Sequence, residues 1–248
     1  MPKFKTVVEY DGTNYHGWQF QPNAVTIQGE IEKALEKIFH TRITVYGAGR
    51  TDSGVHAHGQ VTHIVASWRH PSENLKRAIN SLLPDDICIK EVSEVEDDFH
   101  ARHSAISKTY RYQILNQRTR SPMKRLYSWH VNQQLDVDEL QAASNLLLGA
   151  HDFATFGAAT SGTPSTVREI FEARWYGEKG GPNLTFTIRG SGFLRFMVRS
   201  LVGTLVRVGS GKLSVEDFRA ILESRKRAKS GPAAPSQGLS LISVEYPK

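Results

Sequence analysis

Residues 43–66 read ITVYGAGRTDSGVHAHGQVTHIVA: a short β-type run, a glycine-rich loop and a second β-type run. Ile43–Tyr46 and Gln60–Ala66 are rich in the branched residues that suit a pleated surface. Glycines 47, 49 and 54 first suggest a phosphate cradle, yet GAGRTDSG lacks the GK[ST] ending of a P-loop. No helix-like spacing follows the loop either, so this stretch does not read as the strand–loop–helix of a parallel α/β unit.

The flanking segments extend that reading. Phe4–Tyr10 has strand character. Ile27, Ile31, Ala34, Leu35, Ile38 and Phe39 fall at helical spacing, with Thr26 as the expected N-cap. Leu75, Ile79, Leu82 and Leu83 mark a second helix stopped by Pro84, and Ile87–Val92 is a strand. Beyond residue 108 a similar order follows, with strands at Thr109–Leu115 and Leu126–Val131 and a helix beginning near Asp136. Strands at Ile170–Tyr176 and Leu184–Ile188 flank the turn EKGGPN. Then come a helix from about Phe193 to Val208, a short one from Ser214 to Leu222, a basic Pro/Gly/Ser loop at 224–238, and a strand at Leu241–Tyr246. Without strict βαβ alternation, this order predicts an α+β fold with a largely antiparallel sheet. The repeated order suggests two halves: an N-terminal α+β half at 1–102 and a C-terminal one at 103–248.

Composition narrows the class. No apolar run approaches the ~20 residues that a membrane helix needs. The N-terminal MPKFKTVVEYDG shows no secretion signal. The single cysteine, Cys88, cannot form an intramolecular disulfide, which fits a reducing compartment. A cytoplasmic, soluble protein is expected. The formal charge is +6, and its distribution says more than its size. Asp52 is the only acid between Glu36 and Glu73, an interval holding five of the ten histidines. No acid occurs between Asp98 and Asp136, between Glu178 and Glu216, or between Glu223 and Glu245, although each interval carries several Lys and Arg. Three such basic stretches favour a nucleic-acid partner over simply solvated faces.

Four groups of residues are candidates for chemistry. Asp52 is either a turn residue bonding its own backbone or a working carboxylate. His56 and His58 share a strand face and could ligate a metal, but the further ligands are missing and no metal is expected. In GFLRFMVRSLVGTLVRVG, residues 192–209, apolar side chains cover most of a helix, while Arg195, Arg199, Gly203 and Arg207 form a four-residue-spaced stripe. That stripe faces water or supplies a cation to Asp52. Tyr110 and Tyr112 in KTYRY point to one strand face, as core residues or as a platform for an unpaired base.

Taken together, EYDGTNYHGWQFQPNAVTIQGEIEKAL, GAGRTDSGVHAHGQVTH, FHARHSAISKTYRY, VREI, GFLRFMVRSLVG and APSQGLSL resemble, in order, the tRNA pseudouridine synthase A family. The resemblance implies two related α/β halves around a continuous, largely antiparallel sheet with a basic central cleft. It implies that Asp52 is the catalytic nucleophile, and that Tyr110 packs against the target uracil and is a candidate for proton transfer. Arg199 would be the ion-pair partner of the aspartate, Leu239 would line the base pocket, and Arg50 would help extrude the base. It implies a homodimer acting on uridine at positions 38, 39 or 40 of the tRNA anticodon arm, with no metal and no cofactor. Ser53 stands where the family usually has alanine, and Ser240, Arg195 and Phe196 also depart from the commoner residues.

Two other readings keep the same residues. A non-catalytic RNA-binding protein would make Asp52 a turn residue, and a metal-dependent phosphodiesterase would use His56 and His58.

Overall fold

Alternation and capping set the elements. The computed structural model describes residues 1–158, 165–177 and 180–247, so Glu178 and Lys179 of the expected turn EKGGPN lie outside the described residues. Strand β1, Lys3–Tyr10, buries every second residue, including Phe4, Val8 and Tyr10, as a half-buried pleat requires. Helix α1, Ile27–Phe39, starts where the Thr26 hydroxyl accepts from the backbone N–H of Gly29 and ends at His40 in the left-handed region. It is followed by β2, Tyr46–Gly47, and β3, His56–Val65; α2, Ser72–Asn80; and β4, Ile87–Val95. The β-type run expected at 43–46 is thus a strand only from Tyr46, although Ile43 and Val45 are buried.

The chain divides into two units. The first comprises residues 1–106 and 240–248, and the second residues 107–239. In the first, β1 pairs antiparallel with both β3 and β4, and β2 pairs antiparallel with β3. The final strand, β10, Leu239–Glu245, returns to lie parallel to β3, with Ser240 opposite His56 and Leu241 opposite Ala57. The helices bury Ile27, Ile31, Leu35, Leu75 and Ile79 in this unit's core. Each fully buried aliphatic side chain of this kind contributes about 1.5–3 kcal/mol.

The second unit starts with β5, Ser107–Asn116, and the short β6, Trp129–Val131, which pairs parallel with it. Helix α3, Val137–Asn145, is capped by Asp136, whose carboxylate accepts from the N–H groups of Asp138 and Glu139. Strands β7, Gly149–Asp152, β8, Val167–Tyr176, and β9, Asn183–Gly190, complete an antiparallel series β5–β9–β8–β7. Helices α4, Met197–Gly209, and α5, Val215–Glu223, follow, the latter started by a Ser214–Asp217 capping box. The expected α+β class with a largely antiparallel sheet is what the protein has.

One helix begins later than its apolar spacing predicts. The expected start near Phe193 moves to Met197 because Phe196 takes a left-handed conformation (φ 63°) that no α-helix continues. Arg195 therefore lies outside the helix. Gly203 is buried, and a Cβ there would stand 2.0 Å from the carbonyl oxygen of Pro232. The four-residue basic stripe does not exist as a helix face: its first member is off the helix and its third is covered by the 231–235 segment.

Candidate active site

In the first unit the loop between β2 and β3 carries Arg50, Thr51, Asp52 and Ser53. Arg50 and Ser53 are exposed, Thr51 is buried, and Asp52 is half-buried. The loop is held mainly by its backbone. The N–H of Trp18 donates to the Thr51 carbonyl at 3.1 Å, and the Tyr15 carbonyl accepts from both Gly54 N–H and the Ser53 hydroxyl. The N–H of Val55 donates back to the Asp52 carbonyl, closing a turn in which Gly54 has φ 75°. That angle explains glycine at this position. The Tyr10 phenol meets the Thr51 hydroxyl at 2.8 Å, and burial raises that phenol far above its usual range, so it stays protonated.

Glycines let the neighbouring chain approach closely. A Cβ on Gly12 would lie 2.0 Å from the Val55 carbonyl oxygen, and one on Gly47 would lie 2.7 Å from the Trp18 ring. Gly17 (φ 89°) crosses directly beneath Thr51 and Asp52. The segment 10–18 thus acts as a bracket under the aspartate. The sequence showed these residues as a motif without revealing this role, because backbone-to-backbone bracketing leaves no periodic pattern.

In the second unit, Tyr110 and Tyr112 do share a face of β5, and both are buried. The Tyr110 ring meets Phe193 edge-on, with centroids 5.0 Å apart. Tyr112 donates its phenol to the Pro235 carbonyl at 2.7 Å, and burial raises its pKa, which keeps the donor proton in place. Arg199, half-buried near the start of α4, donates from Nε to the Ala234 carbonyl at 2.7 Å, while its own carbonyl accepts from Ala234 N–H at 2.9 Å. Its guanidinium also lies 5.6 Å from the Phe196 ring centre. Further along the same segment, a Cβ on Gly238 would strike the Tyr112 ring, and Leu239 follows, buried. Arg199 and Tyr112 therefore strap the 234–238 stretch that leads into Leu239. The sequence placed Tyr112 on the Tyr110 face of its strand, but gave no sign of its bond to Pro235 or of the contacts of Phe193 and Phe196.

The histidines are accounted for by local bonds. His56 is buried, its Nδ1 accepting from Gly12 N–H and lying 3.0 Å from an Asp11 carboxylate oxygen. His58 is exposed beside Glu9. Among the described residues, no three His, Cys, Asp or Glu side chains are grouped so as to hold a metal ion, and no helix is long and apolar enough to cross a membrane.

The arrangement offers a fixed carboxylate in one unit and an aromatic, guanidinium and apolar group in the other. Comparison with known proteins identifies the class. A family model described as tRNA pseudouridine synthase matches residues 6–104 and 143–247. The tRNA pseudouridine synthase A of Thermoanaerobacter sp. (strain X514) is 45% identical over 240 residues, covering 97% of this chain and 98% of that protein. The enzyme of the same name from Acetivibrio thermocellus is 44% identical over 246 residues, and that from Ruminiclostridium cellulolyticum is 46% identical over 246; each alignment covers 99% of this chain and all of the relative. The chain belongs to the tRNA pseudouridine synthase family, whose members isomerise uridine in tRNA.

Proposed function

We propose that this enzyme converts uridine to pseudouridine at position 38, 39 or 40 of the tRNA anticodon arm, with Asp52 as nucleophile. The reaction breaks the N1–C1′ bond and forms a C5–C1′ bond. The C5 hydrogen leaves as a proton, and N1 ends protonated. Nothing is oxidised and no water is consumed, so the balance calls for no metal and no cofactor. A carboxylate supplies covalent assistance to such an exchange, at ribose C1′ or uracil C6.

The observation that carries this reading is the half-buried Asp52 on a loop whose backbone is bonded to Trp18 and Tyr15 within the GRTDSGVHA motif. A carboxylate that must meet one atom of a captive base benefits from such prior positioning. In the proposal, Arg199 pairs with Asp52 and Leu239 lines the base pocket. Tyr110 stacks on the uracil and so substitutes for its former neighbours in the stem, since leaving that stack costs a few kcal/mol. Exposed Arg50 assists that extrusion, and the acid-free stretches bind the phosphates. The family likeness further supports a cytoplasmic homodimer.

Purified protein incubated with an unmodified tRNA pool is expected to leave pseudouridine only at positions 38–40. Pseudouridine elsewhere would overturn the positional assignment, and none at all would overturn the isomerase reading. Light scattering on the purified protein tests the dimer.

A further inference from the structure

Tyr46 and His63 sit directly opposite each other on β2 and β3, and their rings stack at 4.8 Å with only 12° between planes. His100 closes the group, its ring 4.7 Å from His63 and 6.0 Å from Tyr46, both edge-on. The turn that carries His100 is tied down twice. The N–H of Ser104 donates to the His100 carbonyl, and the N–H of Ala101 donates to Nδ1 of His63 at 3.1 Å. Accepting that bond leaves Nδ1 of His63 without a proton, and burial pulls this imidazole down to about 4. A neutral, buried ring therefore underlies Tyr46.

Tyr46 itself is 47% exposed. One face of its ring is taken up by His63, and His100 approaches it at an angle of 60°. A large aromatic held flat from beneath has little rotamer freedom left to lose when something covers it. The surroundings are cationic. Arg102 is exposed on the same turn, and Lys5 stands opposite His63 in the neighbouring strand. Two acid-poor intervals of sequence meet here, one bringing Tyr46 and His63 with Asp52 as its single acid, and the other, acid-free, bringing His100 to His103. Asp97 and Asp98, which precede the turn, are the acids nearest to it in sequence.

We propose that the outer face of Tyr46 is a stacking platform for an unpaired nucleobase of the bound tRNA, other than the uridine that is isomerised. Arg102 and Lys5 would serve the adjoining phosphates. An unstacked base offers a π-face whatever its identity, and cations beside the ring match the backbone on either side of it. The proposal rests on the tRNA reading above and adds a second point of contact to it.

The test compares Tyr46→Ala and Tyr46→Phe with the unaltered enzyme in binding unmodified tRNA at one fixed ionic strength. Tyr46→Ala is expected to weaken binding at least five-fold, and Tyr46→Phe to stay within two-fold. A Tyr46→Ala protein that binds within two-fold overturns the platform. If that variant fails to fold by far-UV circular dichroism, ultraviolet cross-linking of the unaltered complex decides: an adduct at Tyr46 is expected, and its absence overturns the proposal. Tritium release from C5-labelled tRNA, measured on the same samples, separates the two readings. Binding that depends on Tyr46 without release from the unaltered enzyme sustains the platform and removes the isomerase. Release with binding indifferent to Tyr46 removes the platform alone.

Discussion

Gly17 passes so close to the aspartate loop that a Cβ on it would stand 2.7 Å from the carbonyl oxygen of Thr51. The two segments are joined immediately beside this point by the Trp18 N–H bond to the same oxygen. Gly17→Ala therefore meets a backbone clash and an unfavourable φ of 89° together. A strained backbone of this kind costs about 1–3 kcal/mol. The melting temperature is expected to fall by roughly 2–4 °C for each kcal/mol at this chain length. The surviving folded enzyme should also turn over more slowly, because the loop that holds Asp52 has moved. Unchanged melting and unchanged tritium release would mean that the bracket has no role in positioning.

Asp52→Asn keeps the shape of the side chain and removes the carboxylate that the proposal makes the nucleophile. Isomerisation is expected to vanish while tRNA binding stays within a few-fold of normal. Persistent activity in this variant would remove Asp52 from the chemistry.

Arg199→Lys preserves the positive charge but loses the planar fork that donates from Nε to Ala234. One ammonium cannot reproduce both that strap and the proposed pairing with Asp52. Turnover is expected to drop more than ten-fold, with a smaller change in KM. A variant as fast as the parent would show that only net charge matters here.

Tyr110 separates stacking from proton transfer. Tyr110→Phe keeps the ring and its edge contact with Phe193, so KM should hold. Any loss of kcat then reports on the phenol proton. Tyr110→Ala removes the ring and should raise KM as well. Equal kinetics for all three proteins would contradict a role at the base.

His63 gives the fold a dependence on acidity. Burial chiefly, with His100 and Lys3 nearby, depresses its pKa to about 4, below the ~6.5 of an unfolded histidine. As pH falls below about 6.5, the unfolded chain takes up a proton that the folded one refuses. Stability is therefore lost between about pH 6.5 and pH 4. His63→Asn supplies an acceptor toward Ala101 N–H without a titrating ring. Melting curves at pH 7 and pH 5 should show a smaller loss for this variant than for the parent. An equal loss would place the acid sensitivity elsewhere.

Local patterns carried much of this fold. Alternation gave β1, apolar spacing gave α1 to α3, and Thr26, Asp136 and Ser214 capped their helices as their side chains allow. The misplaced start of α4 had no local sign, since nothing in apolar spacing announces that Phe196 adopts φ 63°. Strand β7 escaped notice because GAHD has no alternation to read. At the site, Asp52 was legible as a lone acid in a basic interval. Its bracket at 15–18 was not, because main-chain bonds across more than 30 residues are blind to side-chain identity. The straps from the Tyr112 and Arg199 side chains to residues 234–235 were hidden because their acceptors are main-chain carbonyls, which any residue supplies.

The first unit is assembled from both extremes of the polypeptide. Strand β3, which leads directly out of the aspartate turn, gains its parallel neighbour only from residues 240 and 241, and Gly59 leaves room for Ile242 to press against it. A nascent chain emerging from the ribosome can form β1, β3 and β4 early, but it must wait for some 130 intervening residues before this edge is covered. All of the second unit is thus synthesised before the last segment of the first. An interrupted translation product would carry the Asp52 loop on an unfinished sheet.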